Sequence, residues 1–201
     1  MSTYLKPLQV REKLISQGIK IFTPNLFSQI FNSNEISTKH FLETQVKSGL
    51  LIRLKRGLYT LKTDPPSEQE IANTIYQPSY ISFEYALAYY GLLPEMPYTI
   101  TCATTKATRN FSIGPNTFSY RSIKTNIFTG YSLIKQDNNS FLIADQEKAC
   151  LDYLYFVYLK KLPTNDRLIT RVKSKIDRVK LKSYLILFHN PPFTKFVNSI
   201  L

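Results

Sequence analysis

Residues 33–61, SNEISTKHFLETQVKSGLLIRLKRGLYTL, constrain the fold more than any other stretch of the chain. They read as one helix, a glycine stop and two short strands joined by a basic turn. Ser37 or Thr38 is placed to cap the helix start. Gly49 ends it, because glycine accepts the left-handed conformation a helix C-terminus often needs. At about 100° per residue, Phe41, Leu42, Gln45 and Val46 share one side, and Lys39, His40, Glu43, Thr44 and Lys47 the other. LLIRL and LYTL then flank Lys55-Arg56-Gly57, a hairpin with positive charge at its tip. This is how a winged helix-turn-helix reads in sequence, with a helix for the major groove and a wing for the phosphates. The plainer reading is a helix and hairpin of an ordinary α+β domain, its basic tip merely solvated.

The preceding residues favour the first reading. PLQVREKLISQ, residues 7–17, has helical spacing with Leu8, Val10, Leu14 and Ile15 on an apolar side, and Gly18 stops it. Residues 19–22 are short and extended. Thr23 caps a second helix that has Pro24 at its first position and packs Leu26, Phe27, Ile30 and Phe31 inward. The predicted order is helix, short strand, helix, turn, helix, strand, wing, strand.

Asp64-Pro65-Pro66-Ser67 marks a boundary, since two prolines cannot continue a strand. The domains expected are 1–63 and 67–201. Beyond the boundary, Ser67 is placed to cap a helix to about residue 76, which Pro78 breaks. Ser82 is placed to cap a second, with Glu84 in its first turn and Gly91 at its end. Its buried side is expected to be Phe83, Ala86, Leu87 and Tyr90. Strands are expected at 98–104, 117–123, 131–135 and 141–144, with turns at Gly114-Pro115-Asn116 and Asp137-Asn138-Asn139. Asp145 should cap the helix DQEKACLDYLYFVYLKK, with Ala149, Leu151, Leu154, Tyr155 and Tyr158 available for packing. Residues 166–182 read as one basic helix with an apolar stripe of Leu168, Ile169, Val172 and Ile176. A break at Pro191-Pro192 precedes a last short helix. The fold class is therefore α+β: an N-terminal winged helix-turn-helix, then a mixed α/β domain with a small, mainly antiparallel sheet and C-terminal helices.

Charge is distributed in blocks. Residues 1–62 hold 10 Lys/Arg against 3 Asp/Glu, residues 63–159 hold 6 against 9, and residues 160–182 hold 9 against 2. Two basic blocks around a mildly acidic middle suit a polyanion, through phosphate neutralisation and counterion release. No apolar run approaches the roughly 20 residues that span a bilayer, and none near the start resembles a secretion signal. Two cysteines, Cys102 and Cys150, far apart and without metal-ligand neighbours, suit a reduced, cytoplasmic protein.

Candidates for chemistry are sparse. His40 and His189 have no nucleophile partner in sequence, and no glycine-rich phosphate loop exists. Glu84, Glu147 and Asp152 are the acids offered to a metal, against the plainer reading that they serve a helix dipole, the surface or packing. No catalytic set, cofactor or metal is expected. TTKATR at 104–109 follows a strand and offers Lys106 and Arg109 to a phosphate or partner, if it is not simply a solvated loop. Arg171, Lys175 and Arg178 in the second basic block are further candidates for a partner or phosphate.

Several motifs together resemble the AbiE-type antitoxin family of type IV toxin–antitoxin operons. They are GLLIRLKRGLYTL at 49–61, YISFEYALAYYGLLPEMPYTIT at 80–101, TTKATRNF at 104–111, FSYRSIK at 118–124 and IADQEKACLDYLYF at 143–156. Gln146 departs from the pattern, where relatives more often carry a small residue or proline. The resemblance implies a winged helix that represses its own operon, a C-terminal antitoxin domain, and a nucleotidyltransferase-like toxin opposed with or without a stable complex. DNA contact is assigned to Ser37, Lys39, His40, Thr44 and Lys47 for the groove and to Arg53, Lys55 and Arg56 for the wing, on a double-stranded operator that suits a homodimer or paired monomers. Two alternatives stand beside it. One is an enzyme of kinase or nuclease type that gathers Lys106, Arg109, Glu147 and Asp152 in one cleft. The other is a ligand-sensing regulator with a pocket lined by Tyr85, Tyr89 and Phe141.

Overall fold

A computed structural model describes residues 5–136 and 139–201. The turn expected at Asp137-Asn138-Asn139 lies outside them at its first two positions. The fold is α+β, and the chain divides into two compact units, Met1–Ser67 and Glu68–Leu201. Among the described residues no helix is long and apolar enough to cross a membrane.

The first unit runs α1 (Pro7–Ser16), β1 (Ile21–Phe22), α2 (Pro24–Phe31), α3 (Glu35–Lys47), β2 (Leu51–Lys55) and β3 (Leu58–Leu61). Of the apolar residues expected inward on α1, Val10 and Leu14 are buried, whereas Leu8 is 63% and Ile15 40% exposed. Leu8 is two residues from Val10, which puts it nearly opposite on a helix. Thr23 caps α2 as expected, its Oγ1 accepting from Leu26 N at 3.2 Å. The core is aromatic: the Phe27 ring lies 5.7 Å from Phe22, 4.5 Å from Phe31 and 5.5 Å from Phe41. Neither Ser37 nor Thr38 caps α3. Asn34 does, its Oδ1 accepting from Ser37 N at 2.8 Å, while the Thr38 hydroxyl is buried against Ser33 Oγ at 2.7 Å. The three strands pair antiparallel in the order β1-β3-β2. Lys55 pairs with Leu58, so Arg56-Gly57 is a two-residue turn, and Gly57 takes φ +76°. A side chain at that angle is strained, which is why glycine sits there.

The second unit runs α4 (Glu68–Ile75), β4 (Ser79–Ile81), α5 (Phe83–Tyr89), β5 (Thr99–Thr104), β6 (Arg109–Ile113), β7 (Asn116–Ser122), a 3-10 turn at Thr125–Ile127, β8 (Tyr131–Gln136), β9 (Asn139–Ala144) and α6 (Gln146–Tyr158). It ends with α7 (Asp166–Lys175), α8 (Arg178–Ile186) and α9 (Pro191–Ile200). Its sheet is mixed, six strands in the order β6-β7-β5-β4-β9-β8, with three antiparallel pairs and two parallel ones among the described residues. The parallel pairs are β5 with β7 and β4 with β9. The first arises because β6, unforeseen in the sequence, takes the edge and hairpins back so that β7 fills the slot beside β5. The second involves β4, also unforeseen because its three residues run straight into α5.

The expected helix over 166–182 is two helices. Asp177 interrupts it and caps α8, its carboxylate accepting from Val179 N at 2.8 Å and Lys180 N at 3.2 Å. Helix α6 is buried all round rather than on one side: Glu147, Lys148 and Asp152 are within the core along with its apolar residues. Cys102 and Cys150 are free and buried, and burial pushes both thiols up.

Candidate nucleic-acid interface and a buried charge network

In the first unit, α3 presents its two sides as its spacing predicts. Thr38, Phe41 and Leu42 face the core, while Lys39, His40, Glu43, Thr44 and Lys47 are exposed. Ser37 is half-buried, with its backbone N–H held by the Asn34 cap, so its part in the helix is that of a first-turn residue. On the hairpin, Arg53, Lys55 and Arg56 are exposed and Leu54 and Leu58 are buried. Among the described residues, Lys39, Lys47, Arg53 and Arg56 have no carboxylate within ion-pair reach, Glu43 included. A basic helix face and a basic hairpin tip thus belong to one small unit. Exposed cations without acid partners can trade counterions for phosphates at little desolvation cost.

The second unit places its candidates apart. Lys106 and Arg109 lie over the Tyr76 ring at the β6 edge of the sheet, each 5.7 Å from its centroid. Glu147 sits in the first turn of α6 and accepts from Asp177 N at 3.3 Å, with Lys180 Nζ 3.7 Å from its other oxygen. Asp152 is fully buried one turn further along. Among the described residues no shared partner links Lys106 and Arg109 at the sheet edge to Glu147 or Asp152 on α6, so the cleft required of a kinase- or nuclease-like set is not formed by them. The three acids considered for a metal also disperse. Glu84 forms a two-pronged ion pair with Arg121 at 2.8 and 3.0 Å, and the guanidinium covers the Phe83 ring at 4.7 Å. Tyr89 packs edge-on against Phe141 at 6.0 Å and Tyr85 Oη accepts from Gln69 at 2.7 Å, so these three residues pack or bond with neighbours. Arg171 and Lys175 both point at the Gly91 carbonyl, at 3.3 and 3.5 Å, and Arg178 donates to the Leu201 main-chain oxygen at 3.2 Å.

Sequence reasoning missed the polar centre of this unit. The buried Lys148 ammonium donates to Asp152 Oδ1, and Asp152 Oδ2 accepts from Ser82 Oγ at 2.8 Å and Tyr80 Oη at 3.1 Å. Burial lowers the Lys148 pKa, and the Asp152 carboxylate opposes that shift. Burial, reinforced by Asp152, raises Tyr80 well above the usual phenol range. At the rim, Asp145 accepts from Tyr184 Oη at 2.7 Å and pairs with Lys180 at 2.8 Å. That hydrogen bond raises the Lys180 pKa, while burial takes Tyr90 and Tyr184 up to about 12. Ser82 and Asp145 stand at helix N-cap positions, yet neither side chain caps its helix, because Ser82 is drawn to Asp152 and Asp145 to Tyr184 and Lys180. Phe83, between Ser82 and Glu84, takes φ +57°, a strained conformation for a bulky residue. The signal available in sequence was the i, i+4 pair Lys148 and Asp152 inside an otherwise apolar helix.

No protein-family model and no curated protein matches the sequence.

Proposed function

We infer that the first unit is a winged helix-turn-helix that binds double-stranded operator DNA. The chain is then a cytoplasmic, non-enzymatic antitoxin and repressor of its own operon, of the AbiE type its motifs resemble. The observation that carries this reading is the row Lys39, His40, Thr44 and Lys47 on the exposed side of α3, beside Arg53, Lys55 and Arg56 on the hairpin. The element order and the antiparallel β1-β3-β2 sheet support it, since a winged helix has a helix followed by a hairpin in that order. Helix α3 enters the major groove and the hairpin tip lies on the backbone. The second unit is the antitoxin part, opposing a nucleotidyltransferase-like toxin.

A mobility-shift titration against DNA upstream of the gene, with a scrambled duplex as control, tests the reading at several salt concentrations. Specific retention is expected. Arg56→Ala should weaken both duplexes alike and flatten the slope of log K against log salt by about 0.9. Lys39→Ala should cut the preference for the upstream duplex. Equal binding of both duplexes by the unaltered chain would overturn the assignment of α3 as a reader.

A second reading rests on one observation. Tyr90, Asp145, Gln146, Glu147, Asp177 and Lys180 line an open cleft of about 420 Å³, in which acids, a lysine and a raised phenol are neighbours. Such a mixture is a candidate for general acid–base work on a toxin or RNA. RNA cleavage or phosphate transfer lost in Glu147→Gln and Lys180→Ala would favour it, and absence of both activities in the unaltered chain would dismiss it.

A further inference from the structure

The β6 edge of the large sheet carries a stack that none of the foregoing uses. Phe111 and Tyr76 have ring centroids 5.6 Å apart, and both rest on the buried Tyr120 ring, at 5.7 and 5.1 Å. The Arg109 guanidinium covers the pair, 5.7 Å from Tyr76 and 5.9 Å from Phe111, and Lys106 Nζ approaches Tyr76 from the loop. That loop is fastened at both ends. Thr104 Oγ1 donates to the Pro78 carbonyl at 2.7 Å and accepts from Lys106 N at 3.2 Å, and Thr108 Oγ1 accepts from Ser122 N at 3.1 Å. Tyr76 Oη holds its middle by donating to the Ala107 carbonyl at 2.9 Å. Lys106 and Arg109 are exposed, and among the described residues neither has a carboxylate partner. Two like charges are therefore held near the Tyr76 ring, with the Phe111 ring also under Arg109.

We propose that this edge binds single-stranded nucleic acid. One base stacks on the outer face of the Arg109 guanidinium, which Tyr76 and Phe111 support from behind, and the adjoining phosphates pair with Lys106 and Arg109. An exposed guanidinium plane backed by aromatic rings offers a surface to an unpaired base. A duplex hides its base faces within its own stack, so it gains only the charge contacts. Asn110 and Ser112 alternate to the opposite face of the strand, so the site is confined to Arg109, Phe111, Tyr76 and the loop that carries Lys106. The site lies in the second unit and does not depend on the operator reading of the first.

Fluorescence anisotropy of the full chain with labelled ten-nucleotide oligo(U), oligo(dT) and a blunt duplex tests the proposal. Both single strands should bind more tightly than the duplex in a chain already carrying Lys39→Ala and Arg56→Ala, which separates this site from the operator surface. Preference for oligo(U) would assign RNA through the 2′-hydroxyl, and equal binding would assign the stack and phosphates alone. Arg109→Lys keeps the charge but loses the plane, so affinity should fall by about fivefold or more with the salt slope retained. Lys106→Ala should reduce that slope by about 0.7. Circular dichroism should show both exposed-site variants folded. Unchanged single-strand affinity in Arg109→Lys, duplex binding equal to single-strand binding, or stronger capture of poly-glutamate than of oligo(U) would each overturn the proposal.

Discussion

Asp152→Ala is the sharpest test of the packing reasoning. The carboxylate carries three contacts at once: the Lys148 ammonium on one oxygen, and the Ser82 and Tyr80 hydroxyls on the other. Lys148 and Asp152 are 1% and 0% exposed, so water does not replace what is lost. Removing one partner of a buried pair costs about 3–5 kcal/mol, and each orphaned hydroxyl adds about 1 kcal/mol. The terms overlap, and the Tyr80 and Phe188 rings near the ammonium, at 5.6 and 5.7 Å, soften the first. A net loss of about 4 kcal/mol is expected, a large part of the roughly 5–15 kcal/mol that holds a domain together. Replacing both charges, as in Lys148→Met with Asp152→Leu, should cost only about 1–2 kcal/mol, since the unpaired ion is gone. Urea unfolding followed by circular dichroism measures both. The pH dependence has a definite sign. Lys148 has a folded-state pKa below 10.5, so between the two values this group binds more protons in the unfolded chain and its contribution to stability rises with pH. Asp152 supports the protonated form, so Asp152→Ala widens that window downward and should regain stability more steeply towards pH 8.5. The scan stops short of 9.0, above which the unfolded Cys102 and Cys150 thiols, and from 10.0 the Tyr80 phenol, lose protons that the folded state keeps and the sign reverses. A single variant within about 1 kcal/mol of the unaltered chain, or a double variant as unstable as the single, would refute the account.

Asn34→Ala should cost about 1 kcal/mol by uncapping α3, whereas Ser37→Ala should change stability by no more than a few tenths, both read from urea midpoints. Gly57→Ala meets open space but must hold φ +76°, so it should cost about 1–2 kcal/mol, and Gly57→Asn distinctly less. Gly130→Ala combines φ +73° with a methyl 2.9 Å from the Tyr184 ring and 3.0 Å from Lys148 Cγ. It should cost about 1–3 kcal/mol more than Gly57→Ala, read from the same urea midpoints.

The first unit was legible because local signals and tertiary needs agree there. Thr23 caps α2, Gly49 and Gly57 fill left-handed positions, and the 3.6-residue spacing of α3 sorts Phe41 and Leu42 from Lys39, His40 and Lys47. The errors were near-neighbour ones. Asn34, Ser37 and Thr38 are all competent caps, and only the helix start decides among them. The candidate DNA-contact residues could be named from spacing alone, because they need only be polar and on the side away from the core.

The second unit was legible in its helices but not in its sheet or its polar centre, and the two failures have one cause. β4 is three residues long and β6 is an edge strand of polar composition, so neither has the apolar alternation that marks a strand. Their places are set by partners distant in sequence, such as Cys102 and Ile143 beside Ile81. The same distance hides the network. Ser82 and Asp145 look like caps because capping is the strongest local use for such side chains. Each is instead bound by a group many residues away, Ser82 by Asp152 and Asp145 by Tyr184 and Lys180. Helices α5 and α6 therefore begin without side-chain caps, and Phe83 is held at a positive φ beside the first of them. Giving up local stability at two helix starts for two long-range polar clusters is where sequence rules are expected to fail. It also makes each cluster a unit: loosening Asp152 releases Ser82 at the start of α5, and loosening Asp145 releases Tyr184 on α8. Substitutions at Ser82 and Asp152 should therefore be non-additive with each other, while either should add to Asn34→Ala in the first unit.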